Sequence, residues 1–535
     1  MFPLEQLKQL NVNITRLVTD SRAVQPGDTF VACPGEKLDG RQFIAQAIAQ
    51  GANAVIYDSH NFTWNPDWQV PNLGVADLRH KTGDLADAVY GKPSARLHVV
   101  GVTGTNGKTS TSHWIAQALS DAGNRCALIG TLGNGFAGEL QPSANTTPDA
   151  IRVHGLFADY LNQGASAVAM EVSSHALAQG RVNGVRFDIA LLTNLSRDHL
   201  DYHGDMDSYA ASKRRLFDWA SLKYVVLNLD DAFGVQLAEE LSGDLPLPNP
   251  LDETTSHSTR LQTTAAKSLV IPQAGEGANE SLRDHPIPEV IGYGLTDAAL
   301  QRAEKLGIRM VYGRVSEMSA RGLCLDIHSS WGGAQLKSGL IGRFNAENLL
   351  GVLAVLLAGG MQLDAAVQSL SGVQAVAGRM QRLGGAEQPA VVVDYAHTPD
   401  ALEKVLMTLR EVNADGELIC VFGCGGDRDR GKREMMGRVA ERFADLSVVT
   451  SDNPRSEKPE YIIADITVGM TENKHQIVVE RGAAIAQAIA QARAQDTVLI
   501  AGKGHEDYQE IAGVRHPFSD IVVAASALQA WRAAA

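Results

Sequence analysis

Residues 97–123, LHVVGVTGTNGKTSTSHWIAQALSDAG, decide the fold of this chain. An apolar run typical of a buried strand is followed by a glycine-rich turn and then by an amphipathic helical pattern. This order is the first half of a βαβ unit, and it predicts a parallel sheet covered by helices. Similar strand–helix alternation continues through SAVAMEVSS, DIALLTNLS and YVVLNLD, so the sequence predicts a doubly wound α/β sheet.

The turn Gly104–Thr109 has the composition of a phosphate-binding loop. Its glycines let the backbone approach a phosphate, and successive N–H groups at a helix N-terminus attract the anion. We expect Lys108 to reach the β- and γ-phosphates and the Thr109 hydroxyl to bind Mg²⁺. The match to GxxxxGK[ST] is imperfect, because Val102 stands where the first glycine belongs. A chance glycine-rich turn is the alternative interpretation.

Outward from this stretch, the sequence predicts three α/β domains. The first covers residues 1–96, where β-rich runs alternate with a helical pattern. The second covers residues 97–376 and includes a Pro-, Ser- and Thr-rich insertion at 241–288. The third covers residues 377–535, where AVVVDYAH, ELICVFGC, LSVVTSDNP and TVLIAGKG resemble strand ends.

Composition limits the class of protein. The net charge of −14 over 535 residues argues against a general nucleic-acid binder. Five cysteines without a CxxC pair indicate reduced thiols. The start lacks a secretory leader pattern, and no apolar run approaches the ~20 residues needed to span a bilayer. We therefore expect a cytoplasmic protein without membrane insertion or a nucleic-acid partner, and we expect it to be a monomer.

Eight blocks of sequence carry a resemblance to a known family. In chain order they are TDSRAVQPGDTFVA, GVTGTNGKTS, AMEVSSHAL, TNLSRDHLDYHGDM, VVVDYAHTPDAL, VFGCGGDRDRGKR, SDNPR and AGKGHEDYQ. This series resembles the Mur ligases, and among them the members that add the third residue of the peptidoglycan stem. The resemblance implies a UDP-binding N-terminal domain, a central ATPase domain and a Rossmann-like C-terminal domain.

The resemblance also implies a reaction. ATP, with Mg²⁺, would convert a carboxylate of UDP-N-acetylmuramoyl-L-alanyl-D-glutamate into an acyl phosphate, and an amine of meso-2,6-diaminopimelate would then displace phosphate. A carboxylate is a poor electrophile, so its oxygen must first become part of a leaving group. The crowded negative charge requires cations and fixed donors.

Four residues are expected to perform this chemistry. Glu171 follows an apolar strand at the carboxyl edge of the predicted sheet, which makes it a candidate Mg²⁺ ligand by position. By resemblance, His199 holds a second Mg²⁺, with Asp198 and His203 as competitors, and Lys213 is an N6-carboxylysine (a carbamate). Without the family, Lys213 would be interpreted as a solvated helix lysine. The expected catalytic residues are Lys108, Glu171, His199 and Lys213, and the expected metal ligands are Thr109, Glu171, His199 and carbamylated Lys213.

The resemblance assigns three further groups of residues to the substrates. The expected ATP contacts are Gly104, Thr105, Asn106, Gly107, Lys108, Thr109, Ser110, Arg379, Asp394 and His397. The expected UDP-substrate contacts are Ser21, Asn145, Thr146, Thr147, Ser173, Gln179 and Arg181. The expected diaminopimelate contacts are Arg428, Asp452, Asn453, Pro454, Arg455, Gly502 and Glu506. Ser and Thr in loops are more often turn formers or helix caps, and this is the alternative interpretation of the Ser and Thr residues expected to contact the UDP-linked substrate.

The segment DNPR, residues 452–455, bears on the choice of amino acid. Diaminopimelate differs from lysine chiefly by a distal carboxylate, which a guanidinium binds through two parallel hydrogen bonds. Arg455 therefore predicts diaminopimelate, since lysine would leave a buried cation unpaired. Glu506 is assigned to the distal ammonium group. An Asx-Pro turn is the alternative interpretation of DNPR alone.

Four other functions fit part of the sequence. A folylpolyglutamate synthetase shares the ATP-dependent chemistry but lacks the UDP-binding domain and the DNPR segment. A third-residue ligase that uses L-lysine conflicts with Arg455. A P-loop kinase or motor needs no amine site, and a non-catalytic descendant would not retain the four catalytic residues. ATP turnover with and without an amine acceptor separates an enzyme from a scaffold and a ligase from a kinase.

Overall fold

The computed structural model describes residues 7–35, 38–243, 287–319, 321–385, 387–413, 415–471 and 474–531. The insertion predicted at 241–288 therefore lies outside the described residues, except at its two ends. The described residues form parallel-rich sheets with packed helices, which confirms the predicted α/β class. Among these residues, none of the helices has the length and apolarity needed to cross a bilayer.

The N-terminal unit is a parallel sheet of order β1-β2-β3-β4. Its strands are β1 (Leu17–Val18), β2 (Thr29–Ala32), β3 (Ala54–Asp58) and β4 (Asn72–Val75). Its helical segments are Ser21–Ala23, Gly40–Phe43, Ile44–Ala49, Leu78–Val89 and Pro93–Arg96. The helix Leu78–Val89 packs against a helix of the central unit, Ala150–Asn162, which joins the two units.

The central unit contains a ten-stranded sheet of order β14-β13-β12-β11-β10-β9-β5-β8-β6-β7. Its strands are β5 (His98–Thr103), β6 (Cys126–Gly130), β7 (Gly133–Gly135), β8 (Ala167–Glu171), β9 (Ile189–Leu192), β10 (Tyr224–Asn228), β11 (Glu289–Gly294), β12 (Arg309–Ser319), β13 (Gly322–Ser329) and β14 (Gly332–Ser338). The strands from β12 to β6 are parallel, and β7, β13 and β14 add antiparallel edges. The inner parallel strands are buried on both faces, which explains why their sequences are continuous apolar runs.

The order of these strands places a ligand crevice beside β5. The chain visits β6 and β8 on one side of β5 and then β9 and β10 on the other. This reversal is a topological switch point, and ligands bind at the carboxyl ends of the strands there. The helical segments of the unit are Lys108–Asp121, Ala150–Asn162, Ser174–Ala178, Leu200–His203, Met206–Arg214, Arg215–Asp218, Ala232–Ser242, Asp297–Leu306, Arg343–Ala358 and Leu363–Ser371.

The helix Arg343–Ala358 forms part of the interior of the central unit. It packs against β10, β11, β12 and the helix Lys108–Asp121. Every residue from Asn348 to Ala358 is buried. A helix enclosed on all sides is apolar all round rather than amphipathic, which explains the unbroken apolar run LLGVLAVLLA.

The C-terminal unit contains a six-stranded sheet of order β15-β16-β20-β17-β18-β19. Its strands are β15 (Gln381–Gly384), β16 (Ala390–Asp394), β17 (Leu418–Phe422), β18 (Leu446–Val449), β19 (His475–Ile477) and β20 (Thr497–Ala501), and a hairpin follows with β21 (Tyr508–Ile511) and β22 (Val514–Pro517). Its helices are Pro399–Val412, Gly431–Phe443, Pro459–Thr467, Arg481–Gln491 and Asp520–Ala530. Because β20, β17 and β18 are parallel neighbours, the loops at their carboxyl ends meet at one edge. The domain boundaries near residues 96 and 376 stay predictions.

Candidate active site

A cavity lies between the central and C-terminal units, at the carboxyl ends of β5 and β8. The central unit contributes the turn residues 105–110 together with Glu171, Asp198, His199 and Lys213. The C-terminal unit contributes Arg379, Asp394 and His397. The structure therefore brings the expected metal ligands and, except for Gly104, the expected nucleotide contacts to the lining of one cavity.

The phosphate-binding turn is fixed by the loop that follows β9. Gly104 has φ +148°, and a β-carbon there would overlap the hydroxyl of Thr193, so the position requires glycine. The backbone N of Thr105 donates to the carbonyl of Asn194 at 2.8 Å. The Lys108 ammonium donates to the carbonyls of Gly104 and Thr105 at 2.9 Å each. The lysine is thus folded onto the turn, beside the N-terminus of the helix that begins there.

The carboxylate of Glu171 lies at the back of the cavity and is fully buried. It accepts hydrogen bonds from the Thr109 hydroxyl at 3.1 Å and from the backbone N and hydroxyl of Thr131 at 2.8 and 3.0 Å. Thr109 and Glu171, both expected metal ligands, are therefore direct neighbours. Sequence reasoning missed Thr131, although it directly follows β6 and the carboxyl-edge argument that selected Glu171 applies to it equally.

Lys213 lies in the last turn of the helix Met206–Arg214 and is only 1% exposed. Its ammonium donates to the carbonyl of Gly104 at 2.8 Å and lies 4.6 Å from the centre of the Tyr209 ring. Burial and the nearby charge of Lys108 hold the pKa of Lys213 well below its ordinary value, against the opposing effect of Asp198. The interpretation of Lys213 as a solvated helix lysine is therefore wrong. Both effects shift the side chain toward the neutral amine relative to a solvated lysine, and the neutral amine is the form that reacts with CO₂.

Asp198 joins the two units that enclose the cavity. Its carboxylate lies 3.4 Å from the ammonium of Lys432 and 3.5 Å from Nε2 of His397, both in the C-terminal unit. Burial alone would raise the pKa of Asp198, but the hydrogen bond with His397 and the charge of Lys432 bring it well below its ordinary value. Next to it, Arg197 pairs with Asp429 at 3.0 Å.

His199 faces the cavity from a strained position, because its φ is +55°. Its Nε2 lies 3.4 Å from Asp198, and burial lowers the pKa of His199 to about 3 despite that carboxylate. The imidazole is therefore neutral at ordinary pH, the form that binds metals. Among the described residues, no group of three or more His, Cys, Asp and Glu side chains could hold a metal ion. One carboxylate, one imidazole and one hydroxyl fit Mg²⁺, which keeps water and phosphate oxygens as its other ligands.

The C-terminal wall of the cavity is organised by Asp394. Its buried carboxylate accepts backbone N–H groups of Met380 and Ala396 at 2.8 Å each, and burial raises its pKa. These two bonds fix the segments that contain Arg379 and His397. Arg379 donates to the Thr109 hydroxyl at 3.2 Å and stacks over Tyr395, with 4.4 Å between the guanidinium carbon and the ring centre. The expected adenosine contacts thus directly oppose the phosphate-binding turn.

The residues expected to bind the UDP-linked substrate lie in two places. Beside Glu171, the Thr147 hydroxyl donates to the carbonyl of Glu171 at 2.8 Å, and Arg181 donates to the carbonyl of Thr147 at 3.0 Å. Thr146, Ser173 and Gln179 hydrogen-bond within the same region, and Asn145 is exposed next to it. Ser21 belongs to the N-terminal unit, where its hydroxyl donates to Gln46 at 3.0 Å.

The expected amino-acid contacts meet at the carboxyl ends of β17, β18 and β20. Asn453 is their connecting residue, since its amide nitrogen donates to Glu506 at 2.8 Å and its amide oxygen accepts from Lys503 at 3.1 Å. Lys503 is fully buried and also pairs with Glu506 at 2.9 Å. Sequence reasoning left Lys503 without a role, although it lies inside the quoted block AGKGHEDYQ. Glu506 therefore already has one cationic partner within the protein.

Two arginines flank the loop after β17. Arg455 has φ +50° and donates to the carbonyl of Gly426 at 2.8 Å. A β-carbon at Gly425 would lie 2.9 Å from Nη1 of Arg455 and 3.6 Å from Cγ of Arg428. The Arg428 side chain is exposed, and Nη1 donates to the carbonyl of Asp427 at 3.0 Å. The guanidinium of Arg455 at this loop and the exposed cationic side chain of Arg428 next to it form a site suited to a carboxylate.

Three family descriptions match the chain in order. "Mur ligase family, catalytic domain" matches residues 13–90, "Mur ligase middle domain" matches 102–246, and "Mur ligase, glutamate ligase domain" matches 378–504. Together they cover more than half of the sequence. The chain belongs to the Mur ligase family. The three-domain fold expected from the resemblance is thereby confirmed.

Relatives of this Mur ligase match along almost its whole length. The UDP-N-acetylmuramoyl-L-alanyl-D-glutamate–2,6-diaminopimelate ligase of Chromobacterium violaceum is 49% identical over 527 residues, covering 98% of this chain and 96% of that protein. The protein of the same name from Nitrosomonas europaea is 47% identical over 526 residues, covering 96% and 93%. A solved structure with this name aligns with a TM-score of 0.63 at 36% identity, covering 97% of this chain and 95% of that one.

Proposed function

We propose that this Mur ligase joins meso-2,6-diaminopimelate to UDP-N-acetylmuramoyl-L-alanyl-D-glutamate in an ATP-dependent reaction that also yields ADP and phosphate. The product would be a tripeptide precursor of peptidoglycan. The observation that carries the choice of amino acid is the pair of arginines, Arg428 and Arg455, beside one loop of the C-terminal unit. Relatives with 49% and 47% identity that are named for this reaction support it.

In the first step, the substrate carboxylate attacks the γ-phosphorus of ATP, and ADP leaves as the acyl phosphate forms. Lys108 exchanges its bonds to two carbonyls of the turn for bonds to phosphate oxygens, which are stronger acceptors because they are charged. Glu171 and Thr109 would hold Mg²⁺, which neutralises charge on the phosphates. Arg379, already at the Thr109 hydroxyl, brings a second cation to the same place.

In the second step, the amine of diaminopimelate attacks the acyl carbon, a tetrahedral intermediate forms, and phosphate leaves. The carboxyl-edge loops of the C-terminal unit orient the amine, and Asp198 and Lys432 connect those loops to the central unit. Bringing the two reactants together in a fixed geometry removes much of the entropic barrier. The closure of the C-terminal unit over the cavity would thus be part of catalysis.

We assign Lys213 to the second metal position together with His199. Reaction of the neutral Lys213 amine with CO₂ gives a carbamic acid, which loses a proton and becomes an anionic carbamate. A buried group that is costly as a cation would then become an oxygen ligand. The burial of Lys213 and the lowering of its pKa from the ordinary value support this assignment. We further propose that the enzyme works as a monomer in the cytoplasm.

Selectivity for diaminopimelate over lysine is assigned to Arg455. Nη1 donates to the carbonyl of Gly426, and Nε lies 3.8 Å from the carboxylate of Glu510, so the cation has a partner within the protein and Nη2 is left to bind a carboxylate. Lysine has no distal carboxylate, so its binding would leave these N–H groups without the acceptor that diaminopimelate supplies.

Phosphate release tests this function. The enzyme is supplied with ATP, Mg²⁺ and UDP-N-acetylmuramoyl-L-alanyl-D-glutamate, with meso-diaminopimelate or L-lysine in parallel reactions. Release with diaminopimelate alone, together with the tripeptide mass, is the expected result. Phosphate release with lysine would support the ligase reaction but reject the role of Arg455 in choosing the amino acid. No phosphate release with either amine would reject the proposed reaction.

A further inference from the structure

A fully buried ion pair lies beneath the amino-acid loops of the C-terminal unit. Arg481 is the first residue of the helix Arg481–Gln491, and Asp520 is the first residue of the helix Asp520–Ala530. Both side chains have zero exposure. Nε and Nη2 of Arg481 donate to the two carboxylate oxygens of Asp520 at 2.7 Å each. This is the bidentate geometry of a strong arginine–carboxylate pair.

The same guanidinium also bonds to two carbonyls at the strand ends. Nη2 donates to the carbonyl of Ala501 at 3.0 Å, and Nη1 is 3.4 Å from the carbonyl of Ser451. Ala501 directly precedes Gly502, and Ser451 directly precedes Asp452. Because β20 and β18 lie on either side of β17, Arg481 connects the two loops that flank the arginine-lined loop.

Fold stability alone does not call for this pair. Apolar side chains of similar volume commonly stabilise a protein as well as a buried ion pair does, because removing two charges from water is costly. What an apolar pair cannot do is donate to two carbonyls at once. Burial opposes the charge of Arg481, but Asp520, Asp452 and Glu506 together raise its pKa. The cation therefore persists close to two acidic residues of the expected amino-acid site.

We propose that Arg481 is a positioning residue that holds the loops 452–455 and 502–506 at the spacing which the amino-acid substrate requires. It acts through the carbonyls of Ser451 and Ala501 and does not touch the substrate. The inference rests on the proposed function, since these loops are the proposed diaminopimelate site. The hydrogen bonds of Arg481 described above go to Asp520, Ser451 and Ala501 and not to the wall that faces ATP. The loop 502–506 does contact that wall, since the backbone N of Gly502 donates to the carbonyl of Asp394 at 3.1 Å, so the test measures nucleotide binding separately.

The test uses two variants of the full-length enzyme. In Arg481→Met with Asp520→Leu, an apolar pair replaces the ion pair, so no single charge is left buried. In Arg481→Lys, the charge stays but one ammonium cannot replace the planar fork at three acceptors. Arg410→Met is the matched control, because Arg410 pairs with Asp445 and donates to the carbonyl of Gly416 at 3.2 Å, at the opposite edge of the same sheet.

The Michaelis constants for diaminopimelate, ATP and the UDP-linked substrate are measured separately, after thermal unfolding shows which variants are folded. We expect the constant for diaminopimelate to rise about tenfold or more in both variants, while the other two constants stay within about twofold. The control should leave all three constants unchanged. Folded variants with the parent constant for diaminopimelate, or with all three constants raised equally, would overturn the proposal. If the double variant with the apolar pair does not fold, the Michaelis constants of the Arg481→Lys variant decide the test. A parent enzyme without diaminopimelate-dependent phosphate release would reject the proposed function instead, before any variant is compared.

Discussion

Gly130, the last residue of β6, lies against the carboxylate of Glu171, so its replacement by alanine tests whether that carboxylate holds a metal. The new β-carbon would overlap Oε1 of Glu171 and lie 3.0 Å from its Cδ. Carbon atoms in ordinary contact are about 3.5–4.0 Å apart, so the carboxylate must move by roughly 0.5–1 Å. Three hydrogen bonds from Thr109 and Thr131 hold the carboxylate in place, and they would be strained by this shift.

The size of the effect follows from this displacement. Metal ligands must lie within about 0.2 Å of their ideal distances, which a shift of this size exceeds. Misplacement of a reacting group by about 1 Å costs on the order of 100-fold in rate, or about 2.7 kcal/mol of transition-state stabilisation. We therefore expect Gly130→Ala to lower kcat about 100-fold and to raise the Mg²⁺ concentration needed for half-maximal activity by about 10- to 100-fold.

The assay is phosphate release as a function of Mg²⁺ concentration, with both substrates and ATP saturating. Gly339→Ala is the matched control, because a β-carbon at Gly339 meets no atom within 4 Å and the backbone there is not left-handed. The control should show the parent Mg²⁺ dependence. A folded Gly130→Ala enzyme with the same dependence and the same kcat would refute the placement of the metal at Glu171.

Three further perturbations have defined outcomes. Arg455→Ala should lower kcat/KM for diaminopimelate about 100- to 1000-fold, because two charge-assisted hydrogen bonds are lost; an unchanged ratio in the phosphate-release assay would reject the assignment. Lys213→Ala should nearly abolish ligation and regain part of it with an added short-chain acid, whereas full activity without the acid would remove Lys213 from the mechanism. Glu457→Gln should lower the melting temperature at pH 7, since hydrogen bonds from buried Arg433 lower the pKa of Glu457 to about 2. Because the pKa of Glu457 is lower in the folded state than its unfolded value near 4.5, the ion pair stabilises the fold fully above pH 4.5 and loses this effect as the pH falls toward the folded pKa. The difference in melting temperature between the parent and Glu457→Gln should therefore shrink from pH 5 toward pH 3. A difference that grows over this range would contradict the pairing.

The parts of the site that sequence reasoning found are those with a local signal. The turn Gly104–Thr109 is contiguous, and the strand before it and the helix after it have different apolar periods, so the predicted order of elements is confirmed. Glu171 was found from its position at the end of a buried strand, and it does lie there. In both cases the residue and the element that positions it are adjacent in the chain.

The features that the local sequence pattern did not indicate depend on contacts between distant segments. Asp198 and Lys432 are 234 residues apart, and no pattern near either residue indicates the other. Lys213 lies on a polar helix whose sequence favours exposure, and its burial arises from packing against the phosphate-binding turn, 109 residues earlier in the chain. Arg481 looks like an ordinary first-turn residue of an alanine-rich helix, and its role depends on three segments that converge only in the folded sheet.

The enclosed helix Arg343–Ala358 has a consequence for hydrogen exchange. Amide protons between Asn348 and Ala358 are screened from water on every side, so they exchange with deuterium only when the central unit opens as a whole. A nucleotide that binds the closed form alone makes this opening rarer, by about 2.7 kcal/mol at a concentration of 100 times its Kd. Asn345 and Asn348 line the cavity, while the following turns lie deep in the interior. Occupancy of the cavity should therefore slow deuterium uptake between Asn348 and Ala358 by a common factor, including turns that no ligand touches.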